Sequence, residues 1–254
     1  MVNVGATGPV AFDGLGEVKG DFIAENNGAL TGLSSTTLNS ITGAFQLSNL
    51  TGLSNLAFTS LNTVGSIKWT ALTALDTLNF GTPGVSKADS VVVSDTFLSS
   101  LDGIDVTSLE DLDINNNHRL TTWDSSLTNL SNTMNFLANG AQMSVTFNKL
   151  TWIANMTINN LTDFAVPALQ VVNGSMSFGS NMFTSFSAPN LTSTKSGSIN
   201  FVGNNNLENI TFPMLTSIAG GLLIANNTAL DSIDGFPKLK TLGGDVKLRG
   251  NFSE

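Results

Sequence analysis

The sequence contains no cysteine, no tyrosine and only one histidine in 254 residues. Without cysteine, neither a disulfide framework nor a thiolate metal site is possible. His118 lies in the segment Asn117-His118-Arg119 without companion ligands at a zinc-binding spacing, so we interpret it as a solvated turn residue. The G-x-S-x-G nucleophile motif is absent as well, which argues against a serine hydrolase. We expect no metal ion and no cofactor.

Charge is also scarce. Charged residues make up 11% of the chain, which is about half the usual share. The 10 Lys and Arg are spread thinly against 19 Asp and Glu, and the net charge is −9. A nucleic-acid ligand requires a clustered basic surface, so we expect no nucleic-acid partner. Asn, Ser, Thr and Gly are abundant instead, a composition that we expect of an extracellular β protein.

Long hydrophobic runs and targeting segments are missing too. No apolar stretch reaches the length of about 18 residues that a membrane span needs. The start, MVNVGATGPVAFDG, has neither the basic nor the apolar region of a signal peptide, and the end, LRGNFSE, has no lipid-anchor tail. If the native protein is secreted, we therefore expect its signal peptide and any anchor signal to belong to a longer parent protein.

What the sequence does contain is a repeat of about 22 residues, clearest in PNLTSTKSGSINFVGNNNLENITF and PMLTSIAGGLLIANNTALDSIDGF. Each copy holds an apolar–x–apolar segment, the pattern of a strand with one buried face. The segments begin at Phe22, Phe45, Ile67, Val91, Leu112, Met134, Met156, Met176, Ile199, Leu222 and Val246. The residue two positions later is always apolar: Ala24, Leu47, Trp69, Val93, Ile114, Phe136, Ile158, Phe178, Phe201, Ile224 and Leu248.

This period predicts an all-β fold, a parallel β-solenoid of about eleven 22-residue rungs. A repeat of that length cannot hold a strand, a full helix and two loops, so successive strands must stack as a coil. We expect one leucine-rich-repeat-like solenoid over residues 1–254. The segment GTPGVSKADS at 81–90 disturbs the pattern and could be an irregular loop or the seam between two sub-solenoids. We favour the loop, because the period resumes after it without a shift.

A polar residue, nearly always Asn, follows every strand start except Ile67 by four or five positions. An Asn at a tight corner can bond backbone groups through both its carbonyl and its amide group. We therefore predict a structural ladder that satisfies the turn backbone, in preference to a row of ligand-binding amides. Its members are Asn26, Asn49, Asp95, Asn116, Asn139, Asn160, Asn181, Asn204, Asn226 and Asn251.

Nine Asn residues begin an N-x-S/T glycosylation sequon, about the number that chance placement would give. Several of them belong to the predicted ladder, where a buried amide could not carry a glycan. The candidates for N-glycosylation are those that lie away from the ladder, namely Asn129, Asn190 and Asn209.

Catalytic and metal-binding carboxylates are sparse. Asp111-Leu-Asp113-Ile-Asn115 opens like a calcium loop, but Asn116 replaces the required Gly and Thr122 replaces the bidentate Glu. Alternating Asp residues are also what an ordinary strand would present to solvent. The pair has no accompanying basic or aromatic subsite, so a β-helical polysaccharide lyase or hydrolase is a weaker hypothesis than a non-enzymatic protein.

The phrases LTSIAGGLLIANNTALDSI, FPKLKTLGGDVKLRGNFSE and GPVAFDGLGEVKGDF resemble the fungal Ecm33/Sps2-type GPI-anchored cell-wall organisation proteins, whose repeats are similar to receptor L domains. The resemblance implies a secreted, glycosylated, lipid-anchored cell-surface protein that supports cell-wall organisation. It also implies that the Ser-rich stalk and the anchor signal of this family belong to the parent protein. No catalytic residues come with it. The alternative is a receptor-like module that binds a glycan or a protein, with cell-wall polysaccharide or surface proteins as partners. Trp123 and Trp152, predicted in connecting turns, are candidates for its contact surface.

Overall fold

The computed structural model describes residues 7–250 and residue 252, which form strands, turns and bends without a helix. They belong to two compact units, residues 1–125 with 138–140, and residues 126–137 with 141–254. In each unit the strands pair in parallel with the strand one repeat away, so each repeat adds one rung. Across the described part of the chain, no helix has the length and hydrophobicity needed to cross a membrane.

The first unit carries its main sheet on strands from the first five repeats. Phe22, Phe45, Ile67, Val91 and Leu112 are register partners from rung to rung. The main-sheet strands are β2 (Glu17–Val18), β3 (Phe22–Glu25), β5 (Ser40–Ser48), β7 (Thr63–Leu72), β9 (Ser90–Thr96) and β10 (Ser108–Asn115). The side strands are β1 (Gly8–Ala11), β4 (Leu30–Ser35), β6 (Asn55–Phe58), β8 (Leu78–Asn79) and β11 (Thr122–Asp124).

The second unit repeats this arrangement over the last six predicted strand starts. Met134, Met156, Met176, Ile199, Leu222 and Val246 are register partners in that order. The main-sheet strands are β12 (Asn129–Leu137), β14 (Trp152–Asn159), β16 (Val171–Val172), β17 (Met176–Gly179), β19 (Ser193–Thr194), β20 (Ile199–Val202), β22 (Ser217–Ile218), β23 (Leu222–Ala225), β24 (Thr241–Leu242) and β25 (Val246–Arg249). The side strands are β13 (Ser144–Thr146), β15 (Asp163–Ala165), β18 (Ser185–Ser187) and β21 (Asn209–Thr211).

The predicted fold class is confirmed, because every predicted strand start lies on a parallel main-sheet strand in the predicted register. The core consists of the inward-facing columns of these strands together with buried side chains of the side strands, such as Leu33 and Phe186. Neighbouring rungs stack aromatic rings, as in Phe178 over Phe201 at 4.6 Å between ring centroids and Phe45 against Trp69 at 5.7 Å. The rung of β25 departs from this pattern, since Val246 is 56% and Leu248 43% exposed.

From β5 to β14 the main-sheet strands extend further toward the N-terminus than the apolar–x–apolar segments indicated. β5 begins five residues before Phe45 and shifts register between Ile41 and Ala44, so the strand bends there. From β16 onward the two halves of the bent strand are separate, with Gly174, Gly197 or a Gly pair between them. A side chain at Gly197 would overlap the backbone of Gly174, because successive rungs approach closely at this bend.

The irregular segment 81–90 lies in the first unit. A turn at 81–83 is followed by isolated bridges that join Val85 to Ile104 and Lys87 to Thr63, and regular pairing resumes with β9 at Ser90. Backbone bonds still fix the segment to the rung below, including Ser86 N to Asn62 O at 2.9 Å and Asp89 N to Gly65 O at 2.8 Å.

Candidate functional site

Ten of the main-sheet strands end at or next to a corner residue with a left-handed backbone, namely β3, β5, β7, β9, β10, β12, β14, β17, β20 and β23. The non-glycine corner residues have φ between 51° and 63°, and Gly203 has φ 68°. Asn and Asp tolerate this conformation better than most residues, since their short polar side chains can bond locally. We call these residues the corner column: Asn26, Asn49, Ala71, Asp95, Asn116, Ala138, Asn160, Ser180, Gly203 and Asn226.

The residue after each corner except Asn26 is buried in the core, and in the second unit it is Asn in three consecutive rungs. Asn181, Asn204 and Asn227 are at most 3% exposed. The amide of Asn204 donates to Phe178 O at 3.0 Å and to Asn227 Oδ1 at 3.0 Å. Its carbonyl oxygen accepts from the backbone N–H and the amide of Asn181, both at 2.9 Å. We call this arrangement the buried Asn row.

The first unit contains a shorter version of the same row. Asn117 donates its amide to Val93 O at 2.9 Å, and its carbonyl oxygen accepts from the backbone N–H of Thr96 at 3.1 Å and from the Thr96 hydroxyl at 2.7 Å. Asn139 donates to Ile114 O at 2.7 Å. Each row therefore satisfies backbone groups that the turn would otherwise leave buried and unpaired.

The prediction of a single ladder merged these two columns. Six of its members, Asn26, Asn49, Asp95, Asn116, Asn160 and Asn226, follow their strand starts by four residues and lie exposed in the corner column. Their assignment to a buried ladder is wrong, because the left-handed corner turns the next residue inward instead. Asn49 and Asn26 do bond each other, Nδ2 to Oδ1 at 3.0 Å, but at the surface.

Asn139, Asn181 and Asn204 follow their strand starts by five residues and lie in the buried rows. Asn251 lies outside the described residues. Sequence reasoning missed Asn117 and Asn227, although a fixed offset of five residues from the strand start identifies both.

The sequon asparagines lie at the surface. All those within the described residues are exposed, whereas Asn117, Asn139, Asn181, Asn204 and Asn227, which are buried, begin no sequon. The expectation that ladder membership shields Asn49, Asn160 and Asn226 is therefore wrong. The preferred candidates Asn129, Asn190 and Asn209 are exposed, and Asn190 donates its amide to Pro167 O at 2.7 Å. Their glycosylation stays a prediction.

The two candidate contact tryptophans differ in exposure. Trp123 is 1% exposed and donates its indole N–H to Ile104 O at 3.2 Å. Its assignment to a contact surface is wrong, because strand alternation in β11 turns the ring inward. Trp152 is half-buried at the start of β14 and stays a candidate.

The few carboxylate, histidine and arginine side chains considered as candidates lie apart from one another or contact other side chains. Asp111 and Asp113 are half-buried at alternate positions of β10, and Asp113 Oδ1 accepts from Asn115 Nδ2 at 2.9 Å. His118 is exposed, beside Arg119, whose guanidinium lies 4.3 Å from the centroid of the Phe97 ring. Among the described residues, no group of three or more His, Asp or Glu side chains could hold a metal ion.

The first unit has an open groove with a cavity volume of about 480 Å³ beside the bend of its main sheet. Six of its eleven lining residues carry hydroxyl groups, and the others are Val64, Gly65, Ala88, one cation and one anion. We call it the hydroxyl groove and define it by Ser40, Thr42, Thr63, Ser86, Lys87, Asp89, Thr107 and Ser108.

The stacked parallel rungs with their inward-facing columns define the chain as a repeat protein of the β-solenoid class. No protein-family model matches it. A leucine-rich repeat protein from Eubacterium ventriosum matches over 93% of this chain and 90% of that chain, with 8% identity and a TM-score of 0.25. The strand pairing itself establishes the fold.

The sequence comparison gives more specific matches than the structural comparison. The chain is 38% identical to a cell surface GPI-anchored protein of Arthroderma benhamiae over 96% of its length. It is 37% identical to protein ecm33 of Aspergillus fumigatus over 86% and 32% identical to sporulation-specific protein 2 of Saccharomyces cerevisiae over 94%. The matched regions cover 62%, 54% and 47% of these relatives, so the chain spans about half their length.

The chain is a homologue of the fungal Ecm33- and Sps2-type cell-surface proteins, and the resemblance inferred from its repeat phrases is confirmed. Like them, it belongs to the extracellular surface and wall of the fungal cell.

Proposed function

We propose that the chain is a non-catalytic structural module that supports cell-wall organisation from the cell surface. The observation that carries this proposal is the 38% identity, over 96% of the chain, to a cell-surface GPI-anchored protein. A lipid anchor is proposed for the parent protein only. The outward-facing side chains agree with a structural role, since Asn135, Thr157, Ser177 and Asn200 form a polar column without a carboxylate.

A chimeric protein tests the cell-wall role. The chain would replace the matching segment of Aspergillus fumigatus ecm33 in a strain that lacks the native protein. The proposal predicts that the chimera reaches the surface and restores growth on a wall-binding dye such as Congo red. A chimera that reaches the surface without restoring growth contradicts it.

The non-catalytic part of the proposal has its own test. Purified protein is incubated with glucan, chitin and pectin, and released reducing ends are measured. We expect no release above a buffer control, because the Asp111 and Asp113 carboxylates have no supporting subsite. Cleavage that disappears in Asp111→Asn or Asp113→Asn would make the protein an enzyme.

A further inference from the structure

The hydroxyl groove has the size and rigidity of a ligand site. Its volume of about 480 Å³ falls within the range of small-molecule pockets, about 300–1,000 Å³. Three successive rungs supply its main-chain framework through β5, β7 and the irregular segment 81–90. The backbone bonds of Ser86 and Asp89 to the rung below hold that segment in place without a long strand.

The groove exists because the strand pattern is interrupted in one rung. β5 and β7 run through the bend of the sheet, whereas in the next rung strand β9 begins only at Ser90, after the bend. Gly65 lies in the floor, where an added Cβ would approach Thr42 O to 2.5 Å. The missing side chain therefore lets the backbone of Thr42 and Gly43 approach closely beneath the groove, and the groove itself lies where β9 has not yet begun. The departure from the repeat and the cavity therefore coincide, as expected where a repeat accommodates a functional loop.

The side chains around the groove favour a neutral, hydroxyl-rich ligand. Lys87 and Asp89 are exposed on either side of buried Ala88, and neither side chain has a hydrogen-bond or ion-pair partner among the described residues. An ion of either sign would be attracted by one of these two side chains and repelled by the other, so the pair gives no net preference for a charged ligand. An apolar ligand would remove water from several hydroxyl groups without replacing their hydrogen bonds.

We propose that the hydroxyl groove binds a neutral saccharide chain. Sugar hydroxyls both donate and accept hydrogen bonds, so they can accept from the Lys87 ammonium and donate to the Asp89 carboxylate. Ser and Thr hydroxyls can do either. Because the rungs repeat about every 4.8 Å, they offer similar groups at regular intervals to a repeating polymer. The proposal rests on the cell-wall role and adds a ligand class to it.

Binding of defined oligosaccharides to the purified chain tests the proposal. The probes are a β-1,3-linked glucose hexamer, a chitin hexamer and inorganic phosphate, each titrated while backbone amide shifts are followed by nuclear magnetic resonance. We expect at least one neutral hexamer to shift amides around Thr63 and residues 86–89. Lys87→Ala and Asp89→Ala should each weaken that binding about tenfold or more, since each removes a charge-assisted hydrogen bond. Lys195→Ala, an exposed lysine away from the groove, is the matched control and should leave the affinity unchanged.

Several results would overturn the proposal: no shifts at millimolar hexamer, shifts from phosphate alone, or hexamer binding that both groove variants leave intact. Unchanged amide spectra of the free variants would show that they remain folded. This assay is independent of the cell. If the chimera restores growth but the purified chain binds no saccharide, only the groove proposal is contradicted. If the chimera reaches the surface and does not restore growth, the proposed structural role is contradicted.

Discussion

At the level of single residues, two adjacent positions in each repeat have different structural roles. The corner residue must adopt positive φ, which explains why Asn is common there. The next residue must satisfy a buried backbone, which explains the amides of Asn117, Asn139 and Asn204. Amino-acid type alone does not separate the two roles, because Asn suits both. The two roles are separated only by the number of residues between the position and the strand start.

Removal of one amide from the middle of the buried Asn row should be costly. Asn204→Ala deletes the acceptor for Asn181 N–H and the donor to Phe178 O, which then lie buried without these partners. We expect a loss of unfolding free energy of about 1–3 kcal/mol for each stranded group. Chemical denaturation of unglycosylated protein measures it. Asn205→Ala, an exposed neighbour, should stay within about 0.5 kcal/mol of the parent. Equal stability of the two variants would contradict the row.

The corner column predicts a different response at Asn226, where φ is 56°. Asn226→Ala places a β-carbon in left-handed backbone and should cost about 1–2 kcal/mol, while Asn226→Gly should not pay this steric cost. Thermal unfolding of the two variants, compared with the parent, distinguishes backbone strain from loss of a side-chain bond. If glycine were as destabilising as alanine, the Asn226 side chain would have a bonding role that the structure does not give it.

At the level of elements, the strand that the sequence indicates is only part of the strand that forms. The apolar–x–apolar segment identified the half with period-two burial, whose inward positions pack rung on rung. The other half, such as Ser40–Ile41 in β5, precedes a bulge that resets the alternation. The period-two pattern of apolar residues does not continue across the bulge. The pattern therefore predicted neither the bend nor the glycine contacts beneath it.

Close contact at this bend makes its glycines sensitive to substitution. Gly197→Ala would drive a methyl group into the Gly174 backbone of the rung below, which has no flexible end that could move aside. We expect a loss of about 1–3 kcal/mol in unfolding free energy. Gly14→Ala, with nothing within 4 Å of the added methyl, is the control and should be near neutral. A neutral Gly197→Ala would mean that the rungs are further apart at the bend than described.

At the level of the whole molecule, the repeat period predicted the fold class because every rung depends on the same nearest-neighbour packing. The hydroxyl groove could not be predicted in the same way. It brings together Ser40, Thr63 and Lys87 from separate rungs, next to a segment that the period identified only as irregular. The exposure of Trp123 was also misjudged, since the side strands carry their own alternation, which a 22-residue main-strand pattern does not report.

The central claim is that successive repeats stack in parallel and in register, and the cysteine-free sequence allows a direct measurement in the second unit. Spin labels are placed on cysteine pairs that join Thr157 to Ser177, Asn200, Leu223 or Lys247, which lie one to four rungs away in one outward column. Electron paramagnetic resonance should give distances that rise steadily by about 4.8 Å per rung, to about 19 Å for the last pair, before allowance for the label arms. Distances that fail to increase with rung number would contradict the solenoid.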